Sequence, residues 1–331
     1  MKFCIIGWCG HSYYILEGLK HLNDLQIAGI SSGIEGNDGS SIAAQLEQSG
    51  ISFSGKFYSD WLSMLVQEKP DAVSVDGPFH QHGIMCLECA KRGIHVFCEK
   101  PISLDLAELE EIENAAVKSG SCIISMVGLR YDPAFWTAHQ LAESGAIGKI
   151  KLIHTQKSYR FGNRPEFYKK RELYGGTIPW IGSHAIDWIL WFSRSDFKSV
   201  TAFHDSHDNH GYESMEIAAE CLFYLKNGII ATVSIDVLRP DNAHSHGDDR
   251  IRIAGTEGVL EVMDSKVHLI NVSGDQYIEL ENPPRTLFED FIGGIRKETL
   301  PPVSTMDTIA LTRACLLARK AADNHTTEYF K

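Results

Sequence analysis

Apolar and polar positions along this chain change their period near residue 125. Before that point, short apolar runs alternate with segments of helical spacing. Lys2 to Ile6 is an apolar run closed by Gly7, and Ser12 to Leu22 then places Tyr13, Leu16 and Leu19 on one helical face. Leu25 to Ile30 predicts a second strand, Ala72 to Val75 a third, Ile94 to Cys98 a fourth and Cys122 to Val127 a fifth. Helical spacing fills Trp61 to Gln67, Ile84 to Lys91 and Leu104 to Lys118. Strands separated by helices of this length imply parallel pairing through right-handed crossovers, a doubly wound α/β sheet.

After Pro133 the pattern becomes one of adjacent strands. A helix over Phe135 to Ser144 leads into β-type stretches at Ile150 to Tyr159, Val200 to His204, Met215 to Leu225, Ile229 to Val237, Arg250 to Ala254, Val259 to Met263 and Val267 to Asn271. Asn227-Gly228 has the composition of a hairpin turn. This run predicts an α+β domain with an open, mostly antiparallel sheet. A last helix is expected over 304–323, with Ser304 as its N-cap and Asp307 three residues on. The division is thus 1–125 and 126–331, consistent with 331 residues forming two domains rather than one.

Composition narrows the function classes. With 44% apolar and 22% charged residues the chain is globular in type, which removes disordered and fibrous readings. A formal charge of -12 argues against nucleic acid, where affinity comes largely from neutralising phosphates. The apolar run Ile178 to Ile186 is far shorter than the ~20 residues that span a bilayer, and it contains Pro179, Gly182 and His184. The opening Met1 to Ile6 lacks the form of a signal peptide. A cytoplasmic protein is expected, with its eight cysteines reduced and buried rather than paired.

Candidate chemistry begins at Gly7-Trp8-Cys9-Gly10-His11-Ser12, where a strand hands over to a helix. This is the context of a dinucleotide-binding turn, but G-x-G-x-x-G is degraded, with Cys9 and Ser12 at two glycine positions. The second strand ends in Ser31-Ser32, neither an acid for a ribose hydroxyl nor a cation for a 2′-phosphate, so NAD and NADP are not separable here. Cys86 and Cys89 have zinc-ligand spacing but fall within a helix with no second pair. The His/Asp clusters at 204–210 and 244–249 read as solvated loops, and no metal site is assigned.

His95-Val96-Phe97-Cys98-Glu99-Lys100-Pro101, with Gly128-Leu129-Arg130-Tyr131-Asp132-Pro133 and Gly182-Ser183-His184-Ala185-Ile186-Asp187, resembles the Gfo/Idh/MocA oxidoreductases, relatives of glucose–fructose oxidoreductase and inositol dehydrogenase. The resemblance runs nearly the whole chain. It implies a Rossmann domain carrying NAD(P), a second domain whose open sheet often forms a homo-oligomer interface, and oxidation of an alcohol carbon on a sugar, polyol or related ring. Lys100 inherits the role of the lysine facing substrate and nicotinamide, and His184 that of an acid/base. Pro78, Phe79 and His82 match the loop along the cofactor, and Glu99 belongs to the same wall. With Gly7, Cys9, Gly10, His11, Ser31 and Ser32 these make the cofactor set. Tyr159 and Arg164 are substrate candidates, with His244 and His246 as possible walls.

The chemistry supports these roles. Hydride leaving an alcohol carbon requires the hydroxyl proton to leave as well, which histidine can take near neutral pH. A lysine stabilises charge developing on that oxygen, and Pro101 lowers the cost of a cis peptide beside it. Two departures stand out. Trp180 occupies the place of a frequent family aspartate, where it can stack on a ligand or simply pack, and Gly128 replaces a frequent asparagine. A glycoside hydrolase working by transient oxidation and a non-catalytic dinucleotide or sugar sensor are the alternatives.

Overall fold

The computed structural model describes residues 1–34, 37 and 39–331. The chain divides into two compact units, 1–128 with 285–309, and 129–284 with 310–331.

In the first unit the strands are β1 (Lys2–Ile6), β2 (Gln26–Ser31), β3 (Lys56–Tyr58), β4 (Ala72–Val75), β5 (His95–Cys98) and β6 (Ile123–Ser125). They form one parallel sheet in the order β3-β2-β1-β4-β5-β6. All four residues of β4 are buried, as expected when helices cover both faces of a parallel sheet. Helices α1 (Tyr13–Leu19), α2 (Ser40–Gln48), α3 (Trp61–Glu68), α4 (His82–Lys91) and α5 (Leu106–Ser119) make the crossovers. Local chemistry sets their ends. The Asp60 carboxylate accepts from the backbone N–H groups of Leu62 and Ser63, and Asp105 does the same for Ala107 and Glu108. The order reverses between β1 and β4, so the carboxyl ends of these two strands open the crevice where such sheets bind ligands.

In the second unit α6 (Pro133–Glu143), capped by Asp132, precedes β7 (Ile150–Arg160). A short α7 (Arg171–Tyr174) and one π-helical turn at Ile178–Gly182 lead into α8 (Ser183–Ser193). Strands β8 (Phe197–Asp205), β9 (Ala218–Leu225), β10 (Ile230–Arg239), β11 (Gly247–Gly255), β12 (Gly258–Met263), β13 (Lys266–Asn271) and β14 (Gly274–Ile278) follow. With β15 (Thr327–Tyr329) they form a nine-stranded sheet, β14-β13-β12-β11-β7-β10-β9-β8-β15, in which only β7 and β10 pair in parallel. Helices α6 and α8 pack on this sheet, and every residue of α8 is buried. Arg130 and Asp187 form a buried two-pronged ion pair, 2.8 and 2.6 Å, that ties the approach to α6 onto α8.

The boundary at 126–331 requires correction at one segment. Helix α9 (Leu287–Ile295) returns to the first unit, because Phe288 and Phe291 pack against Phe3 of β1 and Phe97 of β5 with ring centroids near 5.3 Å. The final helix, α10, spans Thr305–Asn324; Ser304 and Asp307 bond reciprocally at its start, as the pattern predicts. Among the cysteines, six are buried and all are free, but Cys9 is exposed and Cys122 is half-buried.

Candidate active site

The turn after β1 is built for close backbone approach. Gly7 has a φ of +80°, and a Cβ there would lie 2.4 Å from backbone atoms of Asp76 and Gly77 at the end of β4. Gly10 is equally constrained, since a Cβ would fall 2.9 Å from an Asp76 carboxyl oxygen and 3.0 Å from the Glu99 side chain. These contacts hold the turn down on the carboxyl ends of β4 and β5, and the exposed Cys9 stands at its rim. The residues therefore fit a bound dinucleotide: a glycine turn between strand and helix, at the reversal point of a parallel sheet, with no room for larger side chains.

Below the turn lies a charged cluster. Glu99 is buried at the end of β5, with His11 Nδ1 2.8 Å from one carboxyl oxygen and the buried Lys100 ammonium 3.6 Å from the other. Burial works against a charge on Glu99, but His11 and Lys100 outweigh it and hold its carboxyl below the usual range. Asp76 behaves oppositely. It is fully buried, and burial, with Glu99 beside it, pushes its carboxyl well up against the opposing pull of the Gly10 and Cys9 backbone N–H groups. Sequence reasoning passed over Asp76 because it reads as the polar end of a strand.

His82 is fully buried at the start of α4, its ring nitrogens 3.0 Å from the Pro101 carbonyl oxygen and 2.8 Å from that of Gly77. It therefore tethers the loop after β4 to the segment carrying Lys100. The Lys100-Pro101 peptide is cis. Phe79 packs edge-on against His82 at 5.5 Å, and Pro78 begins the short turn that holds both. Ser31 is buried, and the Ser32 hydroxyl lies within hydrogen-bond distance of the backbone oxygens of Ile34 (3.0 Å) and Asn37 (2.6 Å). Gly128 has a local reason: a Cβ there would collide with the Tyr14 ring.

In the second unit His184 is buried in the first turn of α8. The preceding π-helical turn ends at Gly182, where a Cβ would meet Ile235 of β10 at 2.4 Å. Trp180 of that turn lies against Tyr168 at 4.3 Å, with the Arg164 guanidinium 4.8 Å from its ring. Only 6% exposed, Trp180 packs within the unit. Tyr212 donates a hydrogen bond from its hydroxyl to the Arg164 carbonyl at 2.5 Å.

Tyr159 and His244 line one open cavity of about 560 Å³ in this unit, with Leu129, Asp132 and Phe135 and with Ser245, Gly247, Asp248 and Asp249; His246 is not among its lining residues. His246 stacks on the Tyr159 ring at 4.9 Å. Sequence reasoning missed the most polar feature of this cavity, a Lys157–Asp249 pair at 2.5 Å. Lys157 is 4% exposed, and the second Asp249 oxygen is buried without a hydrogen-bond partner among the described residues. Burial pulls the Lys157 ammonium down, opposed by Asp249. The two residues are opposite one another across β7 and β11, so strand register would have revealed the pair.

Comparison with known proteins adds context. Residues 1–127 match the model of an oxidoreductase family with an NAD-binding Rossmann fold, and residues 135–261 match a GFO/IDH/MocA C-terminal domain. The chain is 24% identical over 190 residues to inositol 2-dehydrogenase of Salmonella typhimurium, covering 56% of this chain and 54% of that protein. It is 24% identical over 208 residues to trans-1,2-dihydrobenzene-1,2-diol dehydrogenase of Xenopus tropicalis, covering 62% and 60%. Both alignments span less than two thirds of those relatives. Among solved structures, a Thermotoga maritima chain assigned as an oxidoreductase superposes over the whole of both chains with a TM-score of 0.93 and 41% identity. An aldose–aldose oxidoreductase from Caulobacter crescentus, solved with glycerol, has a TM-score of 0.82 and 19% identity over 100% of this chain and 99% of that one.

Proposed function

Because the chain belongs to the Gfo/Idh/MocA oxidoreductase family, whose first domain is an NAD-binding Rossmann fold, we propose that it transfers hydride between a nicotinamide cofactor and an alcohol carbon of a sugar, polyol or sugar-derived ring. The observation that carries the reading is the Gly7–Gly10 turn pressed onto the buried Asp76, Glu99 and Lys100 cluster at the sheet's reversal point. Gly7, Cys9, Gly10, His11, Ser31, Ser32, Pro78, Phe79, His82 and Glu99 make up the cofactor side of this proposal. The bound nicotinamide supplies the hydride acceptor. Lys100, its ammonium 3.6 Å from a Glu99 carboxyl oxygen, steadies the substrate oxygen as charge develops on it. His184 takes the hydroxyl proton and returns it in the reverse direction. Tyr159, Arg164, Trp180, His244 and His246 form the substrate side, with the Arg164 guanidinium 4.8 Å from the centre of the Trp180 ring.

The same reading includes a cytoplasmic location, in keeping with eight free thiols, and a homo-oligomer assembled through the open sheet. Phe203, Leu222, Tyr224 and Ile230 are exposed on strands β8, β9 and β10 of that sheet, an apolar grouping suited to a second copy. Among the described residues no helix is long and apolar enough to cross a membrane.

The test is a thermal-shift and turnover screen with NAD+ and NADP+ against sugars and polyols, followed by Lys100→Met and His184→Ala. A bound cofactor raises the apparent melting temperature. Each variant is expected to lose about 10²- to 10⁴-fold in turnover while keeping cofactor affinity. Activity surviving both substitutions would overturn the assignment. A non-catalytic sensor is the second reading, favoured by Trp180 in place of an aspartate; cofactor binding without turnover across the panel would support it.

A further inference from the structure

The segment that leads into His184 is pinned at both ends within the second unit. Its far end is Gly182, where a Cβ would meet Ile235 of β10 at 2.4 Å. Its near end is Thr177, held by one residue, Glu216, just ahead of β9. The Thr177 N–H donates to Glu216 Oε2 at 3.0 Å, and the Thr177 hydroxyl donates to the Glu216 carbonyl oxygen at 2.6 Å. Tyr174 of α7 donates from its hydroxyl to the same Oε2 at 2.8 Å. The Arg171 guanidinium lies 2.9 Å from Oε1, and its other arm donates to Asp323 of α10 at 2.7 Å. His204 stands further off, with its Nδ1 3.7 Å from Oε1. Glu216 is only 3% exposed, and Tyr174 and Thr177 are fully buried.

The backbone is shaped around this carboxylate. Gly175 and Gly176 have φ of +90° and +95°, and a Cβ on Gly176 would lie 3.2 Å from Arg171 Nε and 3.3 Å from Glu216 Oε1. The Gly176 carbonyl in turn accepts from the Trp180 N–H at 3.1 Å, which starts the turn. Glu216 is itself anchored, because the next residue, Ile217, accepts from the Val237 N–H of β10 at 2.9 Å and donates to the Asp205 carbonyl at 2.8 Å. Both pins are therefore referred to β10. Between them Ile178–Gly182 makes a π-helical turn, a geometry that holds more residues per turn than an α-helix and is rare without a specific cause. Relaxing one residue of it to α geometry would turn one end against the other by roughly 100°. A buried carboxylate is a poor source of net stability, because desolvation offsets what its partners return.

We propose that Glu216 is a positioning residue: by holding Thr177 it keeps the Ile178–Gly182 turn in its π-helical register, and so fixes the direction in which His184 presents its imidazole. The inference rests on the oxidoreductase reading, in which His184 moves the hydroxyl proton. Glu216 acts in this scheme only through the turn, and the paired glycines give the backbone room to pass it.

The experiment compares the full-length parent with Glu216→Ala and Glu216→Gln by histidine NMR and by steady-state kinetics. The His184 imidazole signal is the one lost in His184→Ala. Glu216→Ala should move or split that signal without any substrate present. On the sugar or polyol turned over fastest in the cofactor screen, it should lower kcat ten-fold or more, shift the kcat–pH profile, and leave KM for NAD+ within two-fold. Glu216→Gln keeps an oxygen for Thr177 and Tyr174 and loses only the Arg171 ion pair, whose guanidinium retains Asp323. It should restore the parent signal and bring kcat to within three-fold of the parent. Should Glu216→Ala fail to fold, Thr177→Val removes one bond at constant shape, and should displace the same signal and lower kcat three-fold or more. An unmoved His184 signal or a kcat within two-fold of the parent, in whichever of these two variants folds, overturns the proposal. So does a loss of kcat that Glu216→Gln fails to recover. Full activity of His184→Ala, or failure of the parent to bind NADH, would instead sink the oxidoreductase reading on which it rests.

Discussion

His139 is buried and lies face to face with Trp191, ring centroids 4.0 Å apart and planes 6° from parallel. Burial, then the positive charges of Arg194 and Arg130, push its pKa down to about 4. The folded state therefore prefers the neutral ring, whereas the unfolded chain takes up a proton near the ordinary value of about 6.5. Stability from this group is complete above about pH 6.5 and declines as pH falls toward 4, by up to about 3 kcal/mol. Equilibrium urea unfolding between pH 7 and 4 should show that loss, and His139→Phe should flatten the curve; an unchanged slope in the variant would assign the loss to other groups. A second residue-scale expectation concerns Ser32. No lysine or arginine stands between Ser31 and Gly39 to meet a 2′-phosphate. With the match of residues 1–127 to an NAD-binding family added to that absence, NAD+ should bind more tightly than NADP+, and Ser32→Arg should narrow the gap ten-fold or more in competitive titration.

Elements were legible to the degree that their residues had two different faces. Strand β10 alternates buried and half-buried positions along most of its length, and its period-2 pattern is plain in sequence. Helix α8 has no polar face, since all eleven residues are buried, so periodicity offered nothing to read. Helix α9 was missed although its start is readable, with Thr286 and Glu289 forming a capping box; its place in the fold depends on pairing across almost the whole chain. The Lys100 and His184 motifs were legible as linear strings. The Lys157–Asp249 pair was not, because a buried lysine is defined by its cross-strand partner rather than by its neighbours in sequence. Helix α9 also carries a measurable load. Phe288→Ala removes a fully buried ring in contact with Phe3 and Phe97, and should cost about 3–5 kcal/mol in denaturant unfolding. A loss under 1 kcal/mol would mean that α9 contributes little to holding the first unit together.

For the whole molecule, the nine-stranded sheet makes assembly testable. Leu222 and Tyr224 alternate with buried Cys221 and Phe223 along β9, so both point away from the core side of the sheet. Leu222→Glu with Tyr224→Glu should convert an oligomer to monomers in sedimentation velocity without altering the circular dichroism spectrum. A parent protein that sediments as a monomer at micromolar concentration would remove the oligomer from the proposed function.

The return of residues 285–309 to the first unit has a consequence for synthesis. A ribosome delivers β1 and β5 early, but the Phe288 and Phe291 rings that cover Phe3 and Phe97 emerge only after residues 129–284. At ~5–20 residues per second that interval is roughly eight to thirty seconds. During it the nascent dinucleotide-binding half carries an uncovered aromatic patch. Released as a fragment ending at residue 128, it should bind a hydrophobic dye and associate with itself, and supplying the 285–309 peptide should suppress both. In this chain the half that comes out of the ribosome first is the half that is finished late.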